Sequence, residues 1–515
     1  DGHRYVGSWK DGLRNGKGTY SFVGQKKKEN QDYKNLFKKG LRYIGNWENN
    51  KFNGQGTFKY LNGDNYEGLW SNDKRHGKGI FTTVDGSHYD GEWFDDLKHG
   101  FGQKDFKNGN SYKGQWADNI MSGSGEMIYK SGDKYKGDWQ KGLKHGKGKY
   151  IYANGEIYDG NWSNDQRVGK GKYNYTDGSF YFGDWIDNRR SGQGTFDDNN
   201  GNTYDGQWRD EQFHGKGTFK YFNGDIFIGQ WIKNSRNGYG EMIYVNGDSY
   251  KGEWKNDKKN GNGTIIYLAD GITYNGSFKD GFFHGAGKYS LSIGDYYEGE
   301  WNLGAKEGKG EFVSSIGDKY VGEWKNDLKH GFGKNNFADG NYYEGSWVEG
   351  KIHGNGIFRF SNGSLYDGNF SNDEMNGKGT LTYSNNDKYV GEFKENKRNG
   401  VGTCFYHSGE EYTGEWKDDL IQGQGRYIFT NGNTYEGSFL RGMMDGDGTY
   451  TFNNGNMYIG EFKNGKRDGL GIFTYENGNK YVGEFKNGNM DGQGTFTYPN
   501  GEKIVGVWKN GKPIN

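Results

Sequence analysis

The chain has 515 residues, of which 95 are glycine and only two are proline, and aromatic residues make up 17% while hydrophobic residues of all kinds make up 31%. This aromatic content argues against a disordered chain, the shortage of aliphatic volume against several ordinary globular domains, and the near absence of proline against collagen. The formal net charge is zero, with 67 basic and 67 acidic residues, which excludes a chain-wide basic footprint for nucleic acid. The single cysteine, Cys404, rules out an intramolecular disulfide framework and indicates a reducing, cytoplasmic environment.

A short pattern, aromatic-x-Gly-x-Trp/Phe, recurs 22 times between Tyr5 and Trp508, with an isoleucine in place of the first aromatic in the last copy. We count the first aromatic as position 0 of each repeat. Position 2 is Gly in every repeat, and position 4 holds all 16 tryptophans and six phenylalanines. Positions 11 and 13 are also Gly in every complete repeat, so one register applies to the whole chain.

The copies follow one another at a nearly constant spacing. The number of residues from one first aromatic to the next is the same as from Tyr43 to Tyr66 at all but two places. The spacing is longer from Tyr5 to Tyr43, and it is longer by one residue from Tyr250 to Tyr274. A fixed period of this kind is typical of a repeat architecture, in which each repeat is one supersecondary unit.

Period-two alternation predicts that each repeat is a β-hairpin. Positions 0, 2 and 4 point to one face of a short strand, as in Tyr66, Gly68 and Trp70. A second strand is expected to begin at position 13 and to carry aromatics at positions 15 and 17, after a polar loop such as Glu48 to Asn53. A turn with Gly near position 20 then leads into the next hairpin.

Stacked hairpins that pair strand to strand predict an all-β fold, namely a long, twisted, single-layer antiparallel sheet of tandem repeats. Twenty-one hairpins and one final strand make 43 strands, or about 200 Å along the sheet at roughly 4.8 Å per strand. Positions 1 and 3, such as Asp90 and Glu92, point to the opposite face. No second layer is encoded to cover that face.

The pattern Tyr-x-Gly-x-Trp, six residues, Gly-x-Gly, then Phe-x-Tyr and a turn Gly resembles the membrane occupation and recognition nexus (MORN) repeat. One clear copy is Tyr66 to Trp70 with Gly77 and Gly79, and another is Tyr481 to Phe485 with Gly492 and Gly494. The resemblance covers essentially the whole chain. In two representative repeats the structural positions are Tyr66, Gly68, Trp70, Gly77, Gly79, Tyr320, Gly322, Trp324, Gly331 and Gly333.

The repeat boundaries predict four segments. Residues 1–23 form the first repeat, 24–40 a basic insertion loop, 41–503 repeats 2 to 21, and 504–515 a truncated last repeat with the C-terminal end. The insertion carries six lysines against Glu29 and Asp32. It is either a solvated loop or a basic contact for an acidic partner, and the candidate contact residues are Lys26, Lys27, Lys28, Lys38 and Lys39.

The chain holds no fingerprint of a phosphate-binding loop, a dinucleotide site or a kinase. Seven of ten histidines sit at position 10, as at His76, but equivalent side chains in adjacent hairpins are roughly 10 Å apart, too far to share one zinc ion. Asn, Asp or Ser replaces them elsewhere, which favours a turn preference. Cys404 stands at position 15 and is interpreted as a packed residue. The chain is therefore expected to be non-enzymatic, with no catalytic residue, cofactor or metal.

Charged side chains also recur at fixed positions. Carboxylates at position 3, such as Glu92, Glu323 and Glu415, make a row along a face rather than a converging pair for acid–base catalysis. Basic pairs stand before position 11, at Lys74-Arg75, Lys258-Lys259, Lys397-Arg398 and Lys466-Arg467. These pairs are either ordinary solubilising charge or a basic edge that meets anionic lipid headgroups or acidic protein tails, more weakly as salt rises.

The resemblance to MORN proteins implies a structural scaffold that organises protein–protein contacts in a cytoskeletal assembly. Members of that family occur in ciliary axonemes, in radial-spoke heads and in the cortical structures of protists. The expected partners are other proteins of a cytoskeletal or axonemal complex, and the expected location is the cytoskeleton of a cilium or flagellum. One alternative is a peripheral membrane tether that binds anionic phospholipids through its basic loops. Another is the targeting portion of a longer enzyme, because such arrays precede lipid-kinase or methyltransferase domains in some members.

Overall fold

A computed structural model describes residues 3–22 and 40–514, and the described residues form 44 β-strands and no helix. The chain divides into two units, Asp1–Lys258 and Lys259–Asn515, and each is described by itself. The all-β fold of tandem hairpins in an antiparallel sheet is confirmed. The predicted number of 43 strands is wrong by one, because Trp508 pairs with Pro513 and adds a short strand at Lys512–Ile514.

The strands of the first unit are β1 (His3–Lys10), β2 (Leu13–Phe22), β3 (Gly40–Glu48), β4 (Lys51–Tyr60), β5 (Asn65–Ser71), β6 (Lys74–Thr82), β7 (His88–Phe94), β8 (Leu97–Asp105), β9 (Ser111–Ala117), β10 (Ile120–Ile128), β11 (Lys134–Gln140), β12 (Leu143–Ile151), β13 (Ile157–Ser163), β14 (Gln166–Asn174), β15 (Phe180–Ile186), β16 (Arg189–Asp197), β17 (Thr203–Arg209), β18 (Gln212–Lys220), β19 (Ile226–Ile232), β20 (Ser235–Ile243) and β21 (Ser249–Lys255). Each described pairing joins strands that are neighbours in the sequence, from β1 with β2 to β20 with β21.

The remaining strands are β22 (Lys258–Tyr267), β23 (Ile272–Lys279), β24 (Phe282–Ser290), β25 (Tyr296–Asn302), β26 (Ala305–Val313), β27 (Lys319–Lys325), β28 (Leu328–Asn336), β29 (Tyr342–Val348), β30 (Lys351–Arg359), β31 (Leu365–Ser371), β32 (Glu374–Thr382), β33 (Lys388–Lys394), β34 (Lys397–Phe405), β35 (Glu411–Lys417), β36 (Leu420–Ile428), β37 (Thr434–Leu440), β38 (Met443–Thr451), β39 (Met457–Lys463), β40 (Lys466–Thr474), β41 (Lys480–Lys486), β42 (Asn489–Thr497), β43 (Lys503–Lys509) and β44 (Lys512–Ile514). Here too the described pairings join sequence neighbours, from β22 with β23 to β43 with β44.

The hairpin turn inside each repeat is tighter than the sequence suggested. β3 ends at Glu48 and β4 begins at Lys51, so only two residues join them, and the predicted loop from Glu48 to Asn53 is wrong. Asn49 and Asn50 have φ angles of 47° and 69°. Positive φ at both central residues is typical of a type I′ turn, which matches the right-handed twist of the flanking strands and favours Asn, Asp and Gly. The second strand therefore starts at position 8 and not at position 13.

In the described pairings, a register irregularity follows the hairpin turn of every complete repeat. Gly68 pairs with Gly79 and Trp70 pairs with Arg75, so β5 has one residue between these pairs and β6 has three. Gly77 lies within this bulge with a φ of 61°. A side chain at such an angle would be strained, which explains why position 11 is Gly in every complete repeat.

The core of each unit lies on one face of its sheet. The residues at positions 0 and 4, such as Tyr66 and Trp70, are buried there. Positions 1 and 14 point to the opposite side, which we call the open face, and Ile80 at position 14 pairs with Glu67 and Asp90 at position 1 of the two neighbouring strands. The open face therefore presents its side chains in rows that run across the strands.

Candidate functional site

The tyrosine at position 0 lies across the two glycines that pair beside it. A Cβ added to Gly68 would lie 2.6 Å from Tyr66 Oη, and one added to Gly79 would lie 2.6 Å from Tyr66 Cε2. Tyr66 Oη donates a hydrogen bond to the carbonyl oxygen of Leu69 at 2.8 Å. Burial raises the pKa of the Tyr66 phenol well above its usual range, so this hydroxyl stays protonated and donates.

The second representative repeat has the same arrangement. The Tyr320 ring covers Gly322 and Gly333, and Tyr320 Oη donates to the carbonyl oxygen of Glu323 at 2.8 Å. Gly331, at position 11, has a φ of 59°. The structure thus brings the predicted repeat residues together as packing elements.

The tryptophan at position 4 joins each repeat to the one before it. Trp70 Nε1 donates to the carbonyl oxygen of Gly56 at 3.1 Å, and the Trp70 ring meets Tyr66 and Tyr43 edge to face at 5.0 and 5.7 Å. Trp324 Nε1 donates to the carbonyl oxygen of Gly310 at 3.3 Å in the same way. Edge-to-face ring pairs add stability beyond the area they bury.

The position-3 side chains have a structural role that sequence reasoning missed. The carboxylates of Asp138, Asp184 and Glu415 accept hydrogen bonds from the backbone N–H at position 12 of their own repeat, at 3.0, 2.8 and 3.1 Å. These amides lie in the bulge, where the ladder is interrupted. The position-3 acids therefore stabilise the bulge, and the recurring spacing of nine residues between acceptor and donor was the available signal.

The arginines of the basic pairs pack against the following repeat. Arg75 Cζ lies 4.1 Å from the centroid of the Trp93 ring, and Arg75 Nε lies 3.1 Å from Asp96 Oδ1. Its side chain is only 18% exposed, whereas that of Lys74, paired with Asp95 at 2.8 Å, is 49% exposed. A cation over an aromatic face with a carboxylate partner is a strong contact when it is partly desolvated.

The arginine contact recurs along the chain. Arg398 lies 4.2 Å from the Trp416 ring centroid and 3.1 Å from Asp419 Oδ1. Arg467 donates to the carbonyl oxygen of Gly488 at 2.6 Å. The sequence signal was a basic residue at position 9 followed, in most repeats, by Asp, Asn or Glu at position 7 of the next repeat. These guanidinium groups hold neighbouring repeats together, which leaves Lys74, Lys397 and Lys466 as the exposed charge of the three pairs that contain an arginine.

The histidines at position 10 lie in strands and not in turns, so the turn interpretation is wrong. His76 lies inside β6, because the turn is formed by Asn72 and Asp73, and its ring is 5.3 Å from that of Phe94. Over residues 3–22 and 40–514, no three His, Cys, Asp or Glu side chains gather in a group that could hold a metal ion. Cys404 is buried and pairs with Tyr389, and burial raises the pKa of its thiol, so its interpretation as a packed residue is confirmed.

The predicted basic insertion covers residues 24–40. Its candidate contacts Lys26, Lys27, Lys28, Lys38 and Lys39 lie outside the described residues. Only Gly40, the last residue of the predicted insertion, is described, and it begins β3.

Positions 1 and 14 of the open face form a single row, which we call the outward row. In one part of the second unit it is charged and paired, with Lys288 Nζ 3.1 Å from Glu298 Oε2 and Lys334 Nζ 2.9 Å from Glu344 Oε1. Farther along, six consecutive strands place only uncharged residues in it, and cross-strand pairing makes them neighbours: Thr449, Ile459, Ile472, Val482, Thr495 and Val505. Ile459 and Val482 are each 44% exposed and Val505 is 73% exposed, so the uncharged stretch faces solvent.

Comparison with known proteins agrees with this repeat geometry. The family model described as "MORN repeat" matches 21 segments, covering residues 5–25, 43–267 and 274–503. The chain belongs to the MORN repeat family. The MORN repeat is a structural, non-enzymatic repeat, and the match indicates no catalytic family. As a MORN array, the chain is a repeat scaffold suited to protein or membrane interaction.

Several solved structures are similar to this MORN chain. The SAS-4 (dCPAP) TCP domain of Drosophila melanogaster, in complex with a proline-rich motif of Ana2 (dSTIL), is 21% identical, with 30% of this chain and 85% of that chain covered and a TM-score of 0.21. The wild-type TCP10 domain of Danio rerio CPAP is 10% identical, with 43% and 93% covered and a TM-score of 0.16. A streptogramin B lyase is 12% identical, with 56% and 81% covered and a TM-score of 0.10. Likeness at this level carries no argument about function.

No curated protein matches the chain. Within the described residues no helix has the length and apolar character that crossing a membrane requires.

Proposed function

We propose that this MORN array is a non-enzymatic structural scaffold that organises protein–protein contacts in a cytoskeletal assembly. The observation that carries the proposal is the uncharged stretch of the outward row from Thr449 to Val505. Its exposed β-branched side chains offer contiguous apolar area, and such surfaces are typical of protein contacts. A surface that binds lipid headgroups would need exposed cations there instead.

Each repeat uses one set of positions for packing and another for its exposed surface, and this separation supports a scaffold. Positions 0, 2, 4, 9, 11 and 13 hold the array together, as Tyr66, Trp70 and Arg75 illustrate. The side chains of the outward row take no part in this packing. Their charge varies along the sheet, from the ion pair of Lys288 and Glu298 to the uncharged stretch. Different repeats can therefore contact different partners without any change in the framework.

A ciliary axoneme, with a radial-spoke-like role, is the cytoskeletal setting that we propose. The support is membership of the MORN family, whose members occur in axonemes and radial-spoke heads. An ultrastructural tag on the chain should label the axoneme, and proximity labelling should recover axonemal proteins. Labelling away from any filament system would contradict this location.

Substitutions in the outward row test the scaffold directly. The double variant Ile459→Asp with Val482→Asp should lose a subset of the co-purifying proteins, because charge in the uncharged stretch opposes apolar contact. Val321→Asp is the matched control, since Val321 is similarly exposed at position 1 of another repeat. An unchanged set of partners in the double variant, with an unfolding midpoint like that of the control, would refute the use of this stretch.

Peripheral attachment to anionic lipid is the alternative function. Arg75 and Arg398 weigh against it, because their guanidinium groups already pack on tryptophan rings and bind carboxylates. Flotation with vesicles of phosphatidylcholine and phosphatidylserine, at low and at physiological salt, separates the two functions. The scaffold is expected to stay unbound at physiological salt, and stable flotation there would favour the membrane tether.

A further inference from the structure

The cation at position 9 normally lies close to the aromatic ring at position 15 of its own repeat. Arg75 Cζ is 5.2 Å from the Phe81 ring centroid, and Arg467 Cζ is 5.1 Å from that of Phe473. Lysines behave in the same way, since Lys144 Nζ is 5.3 Å from the Tyr150 ring centroid. The ring at position 15 therefore helps to balance the charge at position 9.

The repeat that begins at Tyr89 departs from this arrangement. Its position-15 residue is Lys104, which pairs across the strands with Tyr89, while Lys98 at position 9 pairs with Trp93. Two lysines thus share the aromatic face at the place where a cation and a ring normally meet. Lys98 Nζ is 5.6 Å from the centroids of both Tyr89 and Trp116.

Neither ammonium group has an acidic partner. Among the described residues, no carboxylate oxygen lies within 4.0 Å of Lys98 Nζ or Lys104 Nζ, although Lys104 Nζ is 4.6 Å from the Phe106 ring centroid. Arg75 is paired with Asp96, which stands at position 7 of the next repeat. For Lys98 the equivalent residue is Asn119, which accepts a hydrogen bond only from the backbone N–H of Lys98. Within the described part of the chain, the two lysines therefore lack an ion pair, and the only opposing charge that acts on them is the more distant one of Asp85 on Lys104.

One of the other repeats without a ring at position 15 shows how the fold can compensate a lysine. In the repeat of Tyr320, position 15 is Asn335, which is buried. Lys329 Nζ donates to Asn335 Oδ1 at 2.7 Å. An oxygen thus replaces the missing ring there, whereas the repeat of Tyr89 provides a second cation and no oxygen.

The local electrostatics favour an anion between the two lysines. Burial, with Lys104 and Arg75 nearby, lowers the pKa of Lys98 to about 8. Burial also lowers the pKa of Lys104, and the charge of Asp85 partly opposes this. An oxyanion placed here would remove the repulsion and restore both ammonium groups to their charged form.

Access to the lysine pair follows from the preceding repeat. Aromatic rings at positions 17 and 15 of neighbouring repeats usually lie side by side, as Tyr60 and Phe81 do edge to face at 5.7 Å. In the repeat that precedes Lys104, position 17 is Thr83, so that repeat places no ring beside Lys104. Lys98 and Lys104 are both half-buried residues, so neither is sealed from solvent.

We propose that Lys98 and Lys104 form an anion-binding site that takes a carboxylate from an acidic segment of a protein partner. The two ammonium groups donate to the carboxylate oxygens, and the rings of Tyr89, Trp116 and Phe106 surround the contact. The choice of a protein carboxylate rests on the scaffold function proposed above. The anion site itself does not depend on where the protein resides in the cell.

Fluorescence anisotropy with the full chain tests the site. The probe is a fluorescein-labelled peptide of alternating glutamate and glycine, and the control peptide carries glutamine in place of glutamate. Lys104→Phe, which restores the usual ring, should weaken glutamate-peptide binding about tenfold or more, as expected for loss of a charge-assisted hydrogen bond. Lys104→Gln should weaken it similarly, while Lys113→Gln, which removes an equal charge from the open face of the next repeat, should not. Equal binding by wild type and Lys104→Phe, or equal weakening by Lys113→Gln, would overturn the proposal.

Amine acetylation mapped by mass spectrometry gives an independent readout on the same protein. Lys98 should react faster than Lys113 at neutral pH, the glutamate peptide should protect Lys98 and Lys104 only, and Lys104→Phe should slow the reaction of Lys98. Protection by inorganic phosphate but not by the peptide would overturn the protein-carboxylate assignment, and protection by neither would overturn the site. Both assays use the purified chain, so a negative result in them would not bear on the proposed axonemal location.

Discussion

The indole N–H of Trp70 donates a hydrogen bond to the carbonyl oxygen of Gly56, which lies 3.1 Å away and one repeat earlier. The same bond joins Trp93 to Gly79 at 3.0 Å. All six repeats with phenylalanine at position 4 lie in the second unit, and phenylalanine has no N–H to donate. The repeats of the second unit are therefore joined by fewer of these indole hydrogen bonds than those of the first.

Replacing Trp70 with phenylalanine tests the value of this bond. We expect Trp70→Phe to lower stability by about 1 kcal/mol for the hydrogen bond, plus the apolar area lost with the indole. Denaturant unfolding followed by far-ultraviolet circular dichroism measures the change. Trp9→Phe is the control, because Trp9 is 58% exposed, and an equal loss in both variants would contradict the assigned role.

The glycine at position 2 should tolerate no side chain where a tyrosine covers it. A Cβ on Gly68 would lie 2.6 Å from Tyr66 Oη and 2.7 Å from the carbonyl oxygen of Lys78. Gly68→Ala should therefore destabilise the array by about 1–3 kcal/mol through overpacking. Gly506→Ala is matched in repeat position but has nothing within 4 Å, so its unfolding midpoint should stay close to that of the wild type.

Arginine at position 9 should contribute to stability, while the lysine before it should not. Arg75→Ala removes the contact with the Trp93 ring and the bond to Asp96, and we expect a loss of about 1–3 kcal/mol. Lys74→Ala breaks only an exposed ion pair with Asp95 and should leave the stability close to that of the wild type. Thermal unfolding of both variants measures the difference. Equal shifts of the two unfolding midpoints would contradict the prediction.

Alkaline pH should destabilise the array through its buried tyrosines. Burial raises the pKa values of Tyr129, Tyr274 and Tyr458 from the ordinary 10.0 to about 12. Below pH 10 the phenols are protonated in both states, so their contribution to stability is complete. Between pH 10 and about 12 the unfolded chain loses these protons before the folded chain does, and stability falls as pH rises. Unfolding midpoints at stepped pH, with tyrosinate absorbance recorded in parallel, should show ionisation of these groups coinciding with unfolding.

The repeat framework was predictable because its signals are local and periodic. Tyr66, Gly68 and Trp70 alternate along one strand, and a constant repeat length places them on the same face in successive repeats. The hairpin turn was placed less well, since Asn49 and Asn50 form a two-residue turn inside a longer polar segment. Composition alone marked the segment as polar and did not show where the strands end.

By itself, the sequence determined that this protein is an array of β-hairpins with aromatic and glycine positions in register, because a side-chain period of two and a repeat of constant length permit few other folds. Only the tertiary structure decided which side chains of different strands meet. Arg75 reaches Trp93 and Asp96, Asp138 accepts a hydrogen bond from the backbone N–H of Lys147, and Lys98 lies on the same face as Lys104. These contacts depend on a bulge that shifts the pairing register, and a shift of register changes every cross-strand neighbour while leaving the sequence pattern unchanged.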